Sequence, residues 1–310
     1  FYHDNYKIAV ILSVIMFSFV LFLLFLEQLL RGNAKYYNLG PSVNITKEKL
    51  PKNKAIIASI FCSLIFLISF AIPLIQILSW ASSDLGIFFN KTFFKTLLNS
   101  IFLASIGGIS IICIAAIILY FLANLKSKSL SNLLTNFISI GYAIPGSVIA
   151  IAILSSYENL NDFIADDIIK IFNYGVFALI FAYNIRFMNL GLKNLSNAME
   201  KLGDNIHHIA KLYSNNIFEK ITKIYLPILL PGLITAFILL FIDIIKELPA
   251  TLIIRPFNFE TLSTRTYNLA SDEMIIEAAA PALSIITLNI FAIFILIKYL
   301  KLSDYAKVNN

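Results

Sequence analysis

Seven apolar stretches of about twenty residues each constrain this chain more than any other feature of its sequence. They are Ile8–Leu26, Ala55–Trp80, Leu97–Ala123, Leu133–Leu154, Phe172–Leu190, Ile224–Ile245 and Ala278–Ile297. A helix needs about 20 apolar residues to cross the hydrocarbon core of a bilayer, and inside that core it satisfies its own backbone polar groups. Composition agrees: 59% of the 310 residues are hydrophobic and only 14% are charged, against about 25% charged in soluble domains. The sequence therefore predicts an all-α integral membrane protein, a polytopic helical bundle of about 7 transmembrane helices. A soluble enzyme, a disordered chain and a disulfide-stapled scaffold are excluded. Cys62 and Cys113 lie inside apolar runs, where a free thiol packs as a small hydrophobe.

Charge sets the expected orientation. With Glu27–Lys54 on the inner side, that side holds 17 of the 24 basic residues and 6 of the 18 acidic ones. The positive-inside rule then places the N-terminus outside and the C-terminus in the cytoplasm. The net charge of +6 thus reflects membrane topology, and nucleic acid is not an expected partner. Arg186, near the inner end of the fifth stretch, is expected to snorkel to the headgroups.

The chain divides by composition. Residues 1–32 form one leading helix, 33–54 a polar cytoplasmic linker, 55–300 a compact six-span unit and 301–310 a cytoplasmic tail. Because the chain begins with Phe1, the leading helix is expected to belong to an upstream unit. Pro73, Gly107–Gly108, Pro145–Gly146 and Pro231–Gly232 fall within spans, where proline frees a carbonyl and glycine permits close approach.

No catalytic or metal-binding constellation is present in the sequence. There is no phosphate-binding Gly-x-x-x-x-Gly-Lys-Ser/Thr run and no His-Glu-x-x-His helix. The adjacent His207 and His208 would point about 100° apart on a helix. The helix centres carry no carboxylates, which disfavours an ion-coupled carrier. Asp243 and Lys246 are expected to form a local pair. Consecutive helical residues do not face each other, so Lys246 and Glu247 should find separate partners, with Pro249 ending the helix shortly after.

The inner segment Gly191–Lys223 is long for a loop and carries an amphipathic pattern: Leu192, Leu195, Met199 and Leu202, then Ile206, Ile209 and Leu212. Asp204 is a candidate N-cap between the two parts. Such a segment either lies on the bilayer or docks into a cytoplasmic partner. Ile224-Tyr225-Leu226-Pro227 closes it, and counting back places Ser214 at a glycine position and His208-Ile209-Ala210 at a Glu-Ala-Ala position. In this the segment resembles the cytoplasmic loop of permease subunits of binding-protein-dependent ABC importers. Ala210 and the spacing agree with that pattern, whereas His208, Ile209 and Ser214 depart from it.

Two further segments are similar to the iron(III) transport permeases of that class: Gly141-Tyr142-Ala143-Ile144-Pro145-Gly146, and Lys246-Glu247-Leu248-Pro249-Ala250-Thr251-Leu252 running into Arg255-Pro256-Phe257. The resemblance covers most of residues 55–300 and implies the C-terminal six-span half of a fused two-repeat permease in a bacterial inner membrane, its fragment's N-terminus periplasmic. It further implies ferric iron moved into the cytoplasm, driven by a cytoplasmic ABC ATPase dimer that holds the ATP and Mg, so that this chain binds no cofactor and is not itself an enzyme. A periplasmic iron-binding protein, an N-terminal permease repeat or second permease chain, and membrane lipid are the other implied partners. On the matching positions the ATPase-coupling loop holds His208, Ala210, Lys211, Ser214, Ile224, Leu226 and Pro227. The pathway or outer mouth holds Tyr142, Pro145, Gly146, Lys246, Glu247 and Arg255, none of them a metal ligand. Rival readings are a same-fold permease for thiamine, a polyamine or a phosphonate, an ion-coupled carrier, and a non-functional permease fragment.

Overall fold

The computed structural model describes residues 3–31, 50–125, 127–160, 175–200, 213 and 216–308. Most of these are helical, with no strand among the described residues. Four helical stretches are long and apolar enough to cross a membrane: Lys52–Ser83, Lys91–Leu122, Thr222–Ile245 and Ile275–Tyr299. The pair Ser129–Ala143 and Gly146–Ser156 makes a fifth when counted as one bent span. The first helix, α1 (His3–Arg31), contains the shorter apolar segment Ile11–Leu23.

Chemistry at the helix ends explains where each element starts. Helix α2 (Lys52–Phe66) passes through a π-helical turn, Leu67–Ala71, into α3 (Ile72–Ser83). The turn directly precedes Pro73, whose missing N–H cannot close a normal helical bond. Asn90 caps α4 (Lys91–Asn124) by accepting from the Thr92 N–H, and Ser127 caps α5 (Lys128–Ala143) by accepting from that of Leu130.

A continuous fourth span over Leu133–Leu154 is not what forms. The chain turns by 104° between α5 and α6 (Gly146–Leu160). Pro145 lacks the N–H that would continue α5, and the residue before a proline is driven out of the helical region; Ile144 is extended at ψ 128°. Helix α7 (Val176–Glu200) runs on through the first part of the inner segment expected to be a loop. Leu192 and Leu195 are buried core residues, so this half of the amphipathic pattern faces the bundle. The Asp204 cap and Leu202, Ile206, Ile209 and Leu212 lie outside the described residues.

A short α8 (Ile217–Lys220) leads through a second π-turn, Ile221–Tyr225, into α9 (Leu226–Ile245). Both π-turns sit two residues before a proline, Pro73 and Pro227. Pro249 does not end α9, which stops at Ile245; it opens α10 (Pro249–Ile254), where the first-turn N–H is unneeded. Helices α11 (Leu262–Ser271) and α12 (Ile275–Val308) complete the fold.

Helices α4, α7 and α9 pack on one another as the centre of the bundle. Their contacts are made by Leu103, Ile111, Leu179, Tyr183, Leu240 and Ile244. Gly107 and Gly108 do not distort α4; a Cβ on Gly107 would stand 3.1 Å from Ile244, and one on Gly108 3.3 Å from Phe237. Here glycine serves close helix approach. Outside this centre, α5 packs on α7, α6 on α10, and α12 on α3, α9 and α11.

Candidate functional site

The turn after α9 builds the site. Beyond Ile245 the backbone N–H of Glu247 still bonds the Ile244 carbonyl at 2.9 Å, and α10 begins two residues later. The Glu247 side chain folds over that new helix end, Oε1 accepting from the Ala250 N–H at 3.2 Å. A carboxylate suits this place, because the first amides of a helix lack partners and carry partial positive charge. Glu247 is 6% exposed.

Its other oxygen, Oε2, lies 3.1 Å from Nε of Arg186 on α7. The same guanidinium donates from Nη1 to the Ile144 carbonyl at 3.2 Å, at the break between α5 and α6. Arg186 thus joins two interrupted spans and does not snorkel to the headgroups. Arg186 is part-buried, and a charge drawn out of water needs partners; the two breaks supply a carboxylate and a carbonyl. Gly146 closes over the pair: a Cβ there would stand 2.5 Å from Glu247 Oε1 and 2.8 Å from Arg186 Nη1.

Hydroxyl groups form a second layer. The Tyr183 hydroxyl meets Thr251 Oγ1 at 2.6 Å, and Thr251 Oγ1 donates to the Glu247 carbonyl at 2.9 Å. Ser263 Oγ donates to that carbonyl as well, at 2.9 Å, and Ser100 Oγ accepts from the Leu262 N–H at 2.7 Å. Between Ser100, Tyr183, Glu247 and Ser263 lies a cavity of about 10 Å³, the room about one water needs.

Of the residues expected at the outer mouth, Pro145, Gly146 and Glu247 come together here. Lys246 turns away and pairs with Asp243 at 2.8 Å, so the two neighbours do take separate partners. Arg255 lies apart, 3.4 Å from Glu260, which also engages Arg265 and Asn268. Tyr142 is half exposed and sets its ring edgewise to Phe187, centroids 6.4 Å apart. Of the coupling-loop residues, Ile224 lies in the second π-turn, and Leu226 and Pro227 open α9, both exposed. His208, Ala210, Lys211 and Ser214 lie outside the described residues. Arg186 was missed as a site residue; an arginine within an apolar run, with a carboxylate just past the end of another, was the available signal.

A polytopic helical bundle whose interrupted spans meet at a part-buried ion pair has the build of a membrane transport subunit. Discontinuous helices within a bilayer line solute sites and gates. The sequence matches the binding-protein-dependent transport system inner membrane component family over residues 116–301, and the chain belongs to that family of ABC-importer permeases, which are membrane subunits and not enzymes. It is 26% identical over 304 residues to an Fe(3+)-transport system permease protein of Haemophilus influenzae. That match takes in 95% of this chain and 58% of the relative's length, so the chain spans little more than half of it. Two solved structures share the fold. One is a bacterial alginate ABC transporter in complex with an alginate pentasaccharide-bound periplasmic protein, with TM-score 0.61, 16% identity and 80% of this chain against 93% of that one. The other is a bacterial ABC transporter that imports alginate, with TM-score 0.60, 15% identity and 82% against 96%.

Proposed function

We propose that this chain forms the C-terminal permease half of an ATP-driven importer that carries ferric iron from the periplasm to the cytoplasm. The observation that carries this reading is the likeness to an Fe(3+) permease along 95% of the chain. The two segments that resemble iron permeases, at residues 141–146 and 246–252, also meet at one ion pair. An ATPase dimer holding ATP and Mg would dock beneath the segment between Glu200 and Pro227, and a periplasmic iron-loaded protein would dock on the outer face. The excess of acidic residues on that face would attract a complementary surface or a cation.

The test is uptake of labelled ferric iron into vesicles holding this chain, the remaining permease segment, the ATPase and the iron-loaded binding protein. Uptake should require ATP and fail in Ser214→Trp/Pro227→Ala, which alters the coupling segment. ATP hydrolysis stimulated by the loaded binding protein without iron movement would point to a permease for another small solute, such as thiamine, a polyamine or a phosphonate. Absence of assembly with the ATPase would reject the reading and leave a carrier or a non-functional fragment.

A further inference from the structure

The two interruptions of the bundle meet at one guanidinium. Helix α5 breaks from α6 at Ile144–Gly146, and α9 breaks from α10 across residues 246–248. Arg186 lies 3.2 Å from the carbonyl at the first break and 3.1 Å from the carboxylate at the second. The pieces beyond the breaks, α6 and α10, pack on each other and both also on α7, as α5 and α9 do. The α6–α10 pair is thus joined to the preceding helices only through a break at each end, and its seat against α7 is shared with the Arg186–Glu247 pair.

We propose that Arg186 and Glu247 are positioning residues that latch α6 and α10 to α7, and that the latch opens for solute to pass. The proposal rests on the importer-permease reading above. Such a pair suits a two-state device, because its half-made form strands the buried Glu247 carboxylate. The stable arrangements are both groups paired or both groups hydrated, and a discrete alternative of this kind is what switching elements use. The breaks permit the motion, since at each the i→i+4 ladder is interrupted: Ile144 is extended before Pro145, and a Glu247–Ile244 backbone bond spans the turn after α9. Gly146 permits the closed state, because any side chain there would enter the space between carboxylate and guanidinium. The Tyr183–Thr251 hydrogen bond is a second tie between α7 and α10 and carries no charge.

The experiment uses the assembled transporter in vesicles, with Cys62 and Cys113 changed to alanine and Leu248→Cys as a reporter in the second hinge. The readouts are the labelling rate by a membrane-impermeant maleimide and the uptake of ferric iron per ATP hydrolysed. Arg186→Met/Glu247→Gln removes the pair without stranding a charge and keeps an acceptor for the Ala250 N–H. Labelling should rise about tenfold and uptake per ATP fall about tenfold, as expected when a closed state loses its tie. Gly146→Ala leaves every charge in place and wedges the pair apart, so it should move both readouts the same way. Arg186→Lys should restore part of the uptake, since the charge returns without the second bond to Ile144. Labelling and uptake at the parent's values in both the double variant and Gly146→Ala would overturn the latch, as would faster labelling with unchanged uptake. A parent that shows no ATP-driven uptake defeats the importer reading instead, and the labelling rates then still report whether the pair holds the hinge.

Discussion

At the scale of single residues, the site is a set of buried polar groups that satisfy one another, and removing one member is more costly than removing two. Thr251→Val takes the partner from the fully buried Tyr183 hydroxyl. An orphaned buried hydroxyl costs about 1–3 kcal/mol, which thermal unfolding of the purified protein should register. Adding Tyr183→Phe should recover part of that loss, so the two substitutions will be non-additive in a double-mutant cycle. Additive effects would mean that the 2.6 Å contact contributes little. Arg186 and Glu247 follow the same logic with larger stakes, because the group left behind is charged. Neutralising Arg186 strands the buried carboxylate and should cost about 3–5 kcal/mol, measured by the same melt; neutralising Glu247 leaves a part-exposed guanidinium and should cost less, and both together least.

Among elements, the helix starts are held by short side chains, and their contributions can be read locally. Thr261 closes a capping box on α11: its Oγ1 accepts from the Thr264 N–H at 3.3 Å while Thr264 Oγ1 accepts from the Thr261 N–H at 2.9 Å. Thr261→Ala should cost about 1 kcal/mol and speed hydrogen exchange in the first turn of α11, leaving the α4–α7–α9 centre unchanged. The elements also show how far the sequence could be read. Apolar runs of span length marked α2–α3, α4, α9 and α12, because length and hydropathy are properties of a segment alone. Pro145–Gly146 was legible as a distortion within a span but not as a full break, because the run from Leu133 to Leu154 is apolar on both sides of it and hydropathy carries no direction. Pro249 was placed at a boundary correctly but on the wrong side of it, since proline both closes one helix and opens the next. The pairing of Arg186 with Glu247 joins residues far apart in the chain, and only the packing of α7 against the turn after α9 brings them together. What resemblance singled out, Pro145, Gly146 and Glu247, converged; Tyr142 and Arg255 sit outside that cluster.

For the whole molecule, charge asymmetry gives a prediction that is independent of the site. An outside-active reporter fused at residue 90, between α3 and α4, should be active, and one fused at residue 126, between α4 and α5, should be silent. That pattern follows from the excess of basic residues expected in the inner connections, and the reverse pattern would invert the orientation. A last consequence comes from α2, which buries none of its residues and continues into α3, the part that packs on α12. Among the described residues little packs on its first half, so its shape depends on what the surrounding phase supplies, and the choice of detergent is expected to govern it. Short-chain micelles should strip it and expose Lys52–Phe66 to proteolysis, whereas lipid nanodiscs should protect it while the rest of the bundle looks the same in both.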